Sequence, residues 1–244
     1  MSLTSELPRP PLYTLLIAEL RGVGYSQRPL EGYAKRQMAN DLNLLVESLG
    51  CGAPHVVGHD IGGMVAYAYA WQFSLKSLCI LDVTIPGVGD WDDVVGTGKV
   101  WHFAFHQKRD IPETLVCGGR EWLYITSFIR DLAFVHERLT DEDIAEYVLA
   151  YSRPGAFRAA MEMYRTFPQD ILDNRSAGRL PASLPVLAIG GDKRWGAHME
   201  KRLGAVSNNV VGGSIANCGH FVAEERPEEF LSLLLPFVRT VDEC

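Results

Sequence analysis

The sequence predicts an α/β fold: a mostly parallel sheet flanked by helices, with an α-helical segment inserted into it. Three observations carry this. Apolar runs of strand length alternate with segments of helical periodicity near the start of the chain and again near its end. These runs are apolar throughout rather than alternating, as strands covered on both faces require. Between them, from about residue 86 to 181, no strand-like run occurs and the periodicity is helical.

Taken in order, "LYTLLIAEL" (residues 12–20) has the length and character of a first strand, and the Gly- and Pro-punctuated loop "RGVGYSQRP" follows it. Over residues 34–49 the apolar positions Met38, Leu42, Leu45, Val46 and Leu49 recur at helical spacing, and Gly50 supplies a stop. "HVVG" reads as the second strand, "GGMVAYAYAWQF" as the helix after it, and "SLCILDVTIP" as the third strand. The insertion contains helical stretches over 112–117, 121–134, 140–151 and 154–167, the third opened by Thr140 with Asp143 three residues on. The α/β pattern resumes with "LPVLAIGGD", a helix around 197–206, "NVVGGSIANCGH", and a last helix over 227–238. The expected organisation is a discontinuous core of residues 1–85 and 182–244 carrying a helical cap of residues 86–181.

Composition narrows the function classes. At 244 residues the chain is long enough for a single sizeable core, and 47% hydrophobic with 22% charged residues is ordinary for a soluble globular protein. The net charge of -7 comes without a basic run, which argues against nucleic acid and anionic membrane surfaces as partners. No apolar stretch approaches the roughly 20 residues of a membrane span, and the polar start MSLTSELPRPP is not a signal peptide. Cys51, Cys79, Cys117, Cys218 and Cys244 form no CxxC pair, so free thiols in a reducing, cytoplasmic setting are expected.

The chemistry concentrates in "HVVGHDIGGMVAYAYA". Gly58-His59-Asp60-Ile61-Gly62, between an apolar strand and an Ala-rich helix, has the form of a strand–turn–helix elbow that lifts its middle side chain above the sheet. That side chain is the carboxylate of Asp60, and the Ile61 N–H at the helix start could stabilise negative charge beside it. His220, in "NCGHFVAEERPEEF", falls after the last strand-like run, where the base of a triad in the order nucleophile, acid, His belongs. Two carboxylates could orient it, Asp82 at the end of "CILD" and Asp192 at the end of "VLAIGGD", both at the carboxyl edge of the expected sheet.

At these residues the sequence resembles the α/β-hydrolases, and within them the epoxide hydrolase and dehalogenase branch. The likeness runs through "LLIAELRGVGYSQRP", "HVVGHDIGGMVAY", "ILDVTIPG", "VWHFAFH", "MEMYRTFPQD", "LPVLAIGGDKRWG" and "CGHFVAEERPEE", nearly the whole chain. It implies an α/β-hydrolase fold in which the Asp60 carboxylate attacks an electrophilic carbon to form an ester, and a water activated by His220 cleaves it. A serine at this elbow attacks acyl carbonyls, whereas a carboxylate suits displacement at sp³ carbon. A similar subgroup of bacterial epoxide hydrolases carries a ring-opening His and Tyr. The resemblance places His102 ("VWHFAF") and Tyr164 ("EMYR") at those positions, and favours Asp82 over Asp192 as the acid. Trp101, Phe103, Phe105 and Phe167 would then line an apolar pocket or simply be core, with Trp101, Phe103 and Phe167 the expected pocket residues. The implied substrate is a small, neutral, apolar epoxide, with water as the other reactant and neither organic cofactor nor metal.

Two departures sharpen the expectation. Fluoroacetate dehalogenases place arginines just after the nucleophile, where this chain has Ile61 and Met64, and a Trp beside the cap His, where it has Phe103. A buried substrate carboxylate would go unpaired, so an anionic haloacid is disfavoured and a neutral haloalkane is the alternative. The family also carries strands and an HGxP loop, the source of a second oxyanion donor, ahead of "LLIAELRG"; here only MSLTSELPRPP precedes it. The alternatives to an active epoxide hydrolase are therefore a shortened reading frame, or a truncated, catalytically impaired scaffold acting as a ligand-binding or dimerising module, its open sheet edge exposed or covered by a partner chain in a homodimer.

Overall fold

The computed structural model describes residues 13–243. Its centre is a parallel sheet of four strands in the order β1 (His55–His59), β2 (Ser77–Leu81), β3 (Val186–Gly191), β4 (Val210–Ile215). β1 pairs β2 from His55 opposite Ser77, and β3 pairs β4 from Val186 opposite Val210. Around the first two strands lie α1 (Lys35–Ser48) and α2 (Ile61–Gln72). The crossover from β2 to β3 holds seven α-helices: α3 (Trp91–Gly96), α4 (Trp101–His106), α5 (Ile111–Val116), α6 (Glu121–Leu132), α7 (Asp141–Ser152), α8 (Ala156–Arg165) and α9 (Phe167–Ala177). α10 (Gly196–Gly204), α11 (Val222–Glu225) and α12 (Pro227–Glu243) complete the chain.

Side-chain alternation along β2 and β3 builds the layers. Leu78, Ile80, Val186 and Ala188 pack with Met64, Met199 and Leu203 on the face covered by α2 and α10. Cys79, Leu81, Leu187 and Ile189 join Ile215, Phe230, Leu234 and Phe237 on the face covered by α12. Both strands are buried along their full length, which is why their sequences are apolar without alternation. α1 forms an outer layer, with Met38 and Ala39 against Val65, Ala68 and Tyr69 of α2.

The expected helices form, each within a few residues of its sequence signals. The exception is the stretch over 154–167, which breaks at Thr166 before Pro168 opens α9. Thr140 and Asp143 make a reciprocal capping box at the start of α7. One expectation fails. "YTLLIAEL", the part of residues 12–20 that lies within the described residues, is not a strand. Leu15 and Ile17 stand 81% and 90% exposed, and β1 is an edge of the sheet with Val57 half-exposed. Apolar character supplies a tendency, but a strand exists only where a neighbour takes its backbone N–H and C=O groups, and no described strand lies beside this segment.

A buried ion pair fastens the end of the helical insertion to the core. Lys35 Nζ lies 2.9 Å from Asp170 Oδ2 and 3.1 Å from Thr166 Oγ1, donates to the Met163 carbonyl, and sits 4.6 Å over the Phe167 ring. Asp170 Oδ1 also accepts the Lys35 backbone N–H at 2.8 Å. Burial lowers the Lys35 pKa, and the Asp170 charge and hydrogen bond oppose that shift. Lys35→Ala is expected to cost about 3–5 kcal/mol by stranding the Asp170 carboxylate, whereas Lys35→Met with Asp170→Leu should recover most of that loss. Urea midpoints of the two variants check this; a double variant as unstable as the single one would contradict it.

Candidate active site

The elbow forms because the chain is sterically permitted to make it. Asp60, between β1 and α2, has φ 50° and ψ −125°, a left-handed conformation that costs a non-glycine residue free energy and is held by its surroundings. A Cβ on Gly58 would run into the Gly62 carbonyl and Ala66, so glycine there lets α2 close onto β1. Gly62 has open space around its Cβ direction and lines a cavity instead. The Asp60 side chain caps no backbone N–H of α2, so the carboxylate is not consumed as a helix cap.

His220, on the loop between β4 and α11, reaches the same end of the sheet. Its Nδ1 donates to Asp82 Oδ2 at 2.8 Å, which leaves Nε2 as the lone-pair nitrogen. Asp82 is fully buried just beyond β2, with φ 43°, and its Oδ1 accepts N–H groups from Gly191 (3.0 Å) and Trp195 (3.1 Å). Burial pushes the His220 pKa down, but the Asp82 hydrogen bond and the nearby Asp60 and Asp82 charges outweigh it, and the net shift is upward. Asp192 lies elsewhere: Oδ1 accepts the Cys218 N–H and Oδ2 pairs with Lys193 at 3.0 Å.

The His220 loop is positioned by residues that sequence reasoning passed over. His59 Nε2 donates to the His220 carbonyl at 2.8 Å. Glu225, fully buried, accepts N–H groups from Gly219, Phe134, Val135 and Phe221. The His220 N–H donates to the Leu132 carbonyl at 3.0 Å, so the loop is tied to the end of α6. A Cβ on Gly219 would meet Phe134 N at 2.5 Å, which explains the glycine before the histidine. The spacing of Glu225 from Gly219 in "GHFVAEE" was the available signal; nothing in the sequence showed that residues 132–135 would meet it.

Two cavities open at Asp60. The larger, about 330 Å³, is lined mainly by aromatic and apolar side chains of α6, α7 and α8, with Asp60, Ile61 and His220 in its wall and no Lys or Arg among its described lining residues. The smaller, about 20 Å³, is lined by Asp60, Asp82, Thr84, His102, Arg194 and His220 among others. Tyr164 lines the large cavity and His102 the small one, their rings 6.1 Å apart; Asp60, Phe128 and His220 line both. Of the expected pocket aromatics only Phe103 reaches a cavity, the small one, where it also stacks on Trp91. Trp101 is corrected to a surface position, 51% exposed on the outer side of α4, and Phe105 lines neither cavity. Phe167 is corrected to a core residue packed against Trp91 and Phe103 beneath Lys35. On a helix of six residues the apolar character of all positions cannot say which side faces inward.

His106, one turn after His102, is a site residue that the sequence does not single out. It lines the large cavity, stands edge-on to Tyr164 with ring centroids 4.4 Å apart, and places Nε2 2.6 Å from Tyr124 Oη. Burial lowers the pKa of His102 to about 4 and of His106 to about 3, the latter also depressed by His102. Burial, then the charge of Asp60, raises that of Tyr164. All three are neutral near pH 7.

The two imidazoles predict an acid-sensitive fold. Their folded pKa values lie below the value of about 6.5 in an unfolded chain, so the unfolded chain binds more protons below that pH and stability rises with pH there. Acidification from pH 6.5 to about 4 is expected to cost on the order of 3 kcal/mol through His102 alone. Urea denaturation at stepped pH should show a flatter slope for His102→Gln; an unchanged slope would refute the assignment.

A capped parallel sheet with a charged elbow at its carboxyl edge, served by a histidine from beyond the last strand, places the chain in the α/β-hydrolase class of enzymes. The chain belongs to the alpha/beta hydrolase family, whose profile matches residues 1–233. It is 34% identical over 232 residues to the soluble epoxide hydrolase of Corynebacterium sp. (strain C12), covering 92% of this chain and 80% of that one. The solved structure of the epoxide hydrolase CorEH without ligand superposes with a TM-score of 0.83 at 33% identity, over 91% of this chain and 80% of that one. A fluoroacetate dehalogenase of Burkholderia sp is 26% identical, over 93% of this chain and 78% of that protein. Among the described residues no helix is long and apolar enough to cross a membrane.

Proposed function

We propose that this enzyme hydrolyses an epoxide to a vicinal diol through an ester on Asp60. The observation that carries the reading is the position of Asp60: a carboxylate held at a strained elbow, in the wall of an apolar cavity, within a site that also contains the Asp82-held His220. Likeness to a soluble epoxide hydrolase across most of both chains supports the choice of electrophile.

In this reading Asp60 attacks an epoxide carbon and the ring C–O bond breaks, while Tyr164 and the Nε2–H of neutral His102 polarise the epoxide oxygen and the phenol proton of Tyr164 goes to the developing alkoxide. Tyr164 can donate because burial and Asp60 keep its phenol protonated. His220 Nε2 then takes a proton from water, the oxygen adds to the ester carbonyl, and the Ile61 N–H supports the oxyanion. Collapse returns that proton to the departing diol oxygen, and the water's second proton passes from the Asp60 carboxyl to the Tyr164 phenolate, so Asp60 is regenerated as a carboxylate with one oxygen from water and Tyr164 as a phenol. Because the base must be neutral, turnover is expected to fall as the pH drops through the raised pKa of His220.

The test is a single turnover with a styrene-oxide-type epoxide in ¹⁸O water, followed by mass measurement of the peptide containing Asp60. Label in Asp60 supports the ester; diol formed with no label in Asp60 overturns the nucleophile. A neutral haloalkane is the second reading, favoured by the likeness to a dehalogenase and by the absence of Lys and Arg from the described lining of the large cavity. Halide release from a chloroalkane, with no diol formed from epoxides, would select it.

A further inference from the structure

Two residues of the small cavity, Asp60 and His102, serve the epoxide in the reading above, but the space itself has no part in ring opening, because its volume of about 20 Å³ holds one water and no organic substrate. Three of its lining residues carry a buried polar atom with no protein partner among the described residues: Thr84 Oγ1, His102 Nδ1 and Arg194 Nε. Thr84 is 2% and His102 7% exposed. Leaving such groups unpaired costs on the order of 1–3 kcal/mol each, so a water that serves several of them is strongly held. Both oxygens of Asp82, in the same wall, are already occupied by Gly191, Trp195 and His220. The other side-chain donors and acceptors of the wall are those of Thr84, His102, Arg194, Trp195, Asp60 and the Nε2 of His220.

We propose that Thr84 and Arg194 are positioning residues that hold the water consumed in ester hydrolysis, stored in this cavity beside His220 and Asp60. Arg194 Nε–H donates to the water oxygen, which leaves the water's own hydrogens for acceptors. The Thr84 hydroxyl fixes its place, and the neutral ring of His102 can take one of its hydrogens through Nδ1. The store lies apart from the large cavity, so substrate can fill that cavity without displacing the nucleophile of the second step. When the ester forms, the water gives a proton to His220 Nε2 and its oxygen bonds to the Asp60 carbonyl carbon. The ester C–O bond breaks, His220 returns its proton to the diol oxygen, and the water's second proton passes from the Asp60 carboxyl to the Tyr164 phenolate.

This inference rests on the ester mechanism proposed above, and its test separates the two. The first arm is a high-resolution crystal structure of the unliganded protein, which needs no turnover. A water within hydrogen-bonding distance of Thr84 Oγ1 and Arg194 Nε is expected; a dry cavity overturns the proposal. The second arm is kinetic. Thr84→Val, which keeps the shape and removes the hydroxyl, should lower kcat about tenfold, equivalent to one hydrogen bond. It should leave kcat/KM, which reports ester formation, unchanged, so that KM falls in parallel. Intact-mass measurement should find more of the enzyme as ester at steady state. Thr84→Ser should restore kcat, and Arg194→Met should repeat the pattern of Thr84→Val. Loss of kcat/KM without ester accumulation would make Thr84 merely structural and overturn the proposal. Wild-type protein that forms no ester with the epoxide would instead sink the ester mechanism, and the role of the water with it, while the crystallographic arm still decides whether the water site exists.

Discussion

Asp82→Asn is expected to reduce epoxide turnover by about 10⁴-fold while the protein stays folded. The size follows from the hydrogen bonds. An asparagine can keep Oδ1 as the acceptor for the Gly191 and Trp195 N–H groups, and its amide NH₂ then faces His220 Nδ1. To accept from that amide the imidazole must move its proton to Nε2, and the nitrogen that should deprotonate water becomes a donor. The charge that keeps the His220 pKa up is lost as well. Asp192→Asn provides the contrast. That carboxylate is bonded to the Cys218 N–H and Lys193 near the surface and does not touch His220, so turnover should change by less than about tenfold. Measuring kcat for both variants, with circular dichroism to confirm folding, checks the pair. A severe loss in Asp192→Asn with mild loss in Asp82→Asn would reverse the assignment of the acid.

His220→Gln should stop the reaction at the ester. Removing the general base slows hydrolysis by about 10³-fold or more, whereas attack by Asp60 does not use it. Intact protein mixed with epoxide should therefore gain the mass of one substrate molecule, and the adduct should map to the peptide carrying Asp60. The glutamine keeps a side chain of similar length against Asp82, so the loop fastened by His59 and Glu225 has little reason to move. A variant with no adduct and no diol would mean that His220 is needed for the first step, contrary to the proposed sequence of events.

Both variants act on residues legible in the sequence. Asp60 was visible because a Gly-x-Asp-x-Gly string between an apolar strand and an Ala-rich helix is a local, steric pattern. His220 and the two acids were visible as positions at strand ends. The choice between Asp82 and Asp192 was not a local matter. It depends on the loop after β4, which Glu225 and Leu132 draw toward the cap and which brings His220 over β2. His106 and Tyr124 were hidden for the same reason, since they meet through the packing of α4 against neighbouring helices of the insertion. The misassigned aromatics Trp101 and Phe167 show the limit of composition. A phenyl or indole ring is equally at home in a pocket wall, in a core or half-exposed, and only its neighbours distinguish these.

The sequence by itself determined the alternation of strands and helices, the place of the helical insertion, the elbow and its carboxylate. Each of these rests on interactions within a few residues: periodicity, caps, and the glycine that lets one turn close. The tertiary structure decided which carboxylate holds His220, which aromatics see the cavities, and that residues 13–20 do not form a strand. These depend on contacts between segments far apart in the chain, whose hydrogen bonds and burial come into existence only when the fold assembles.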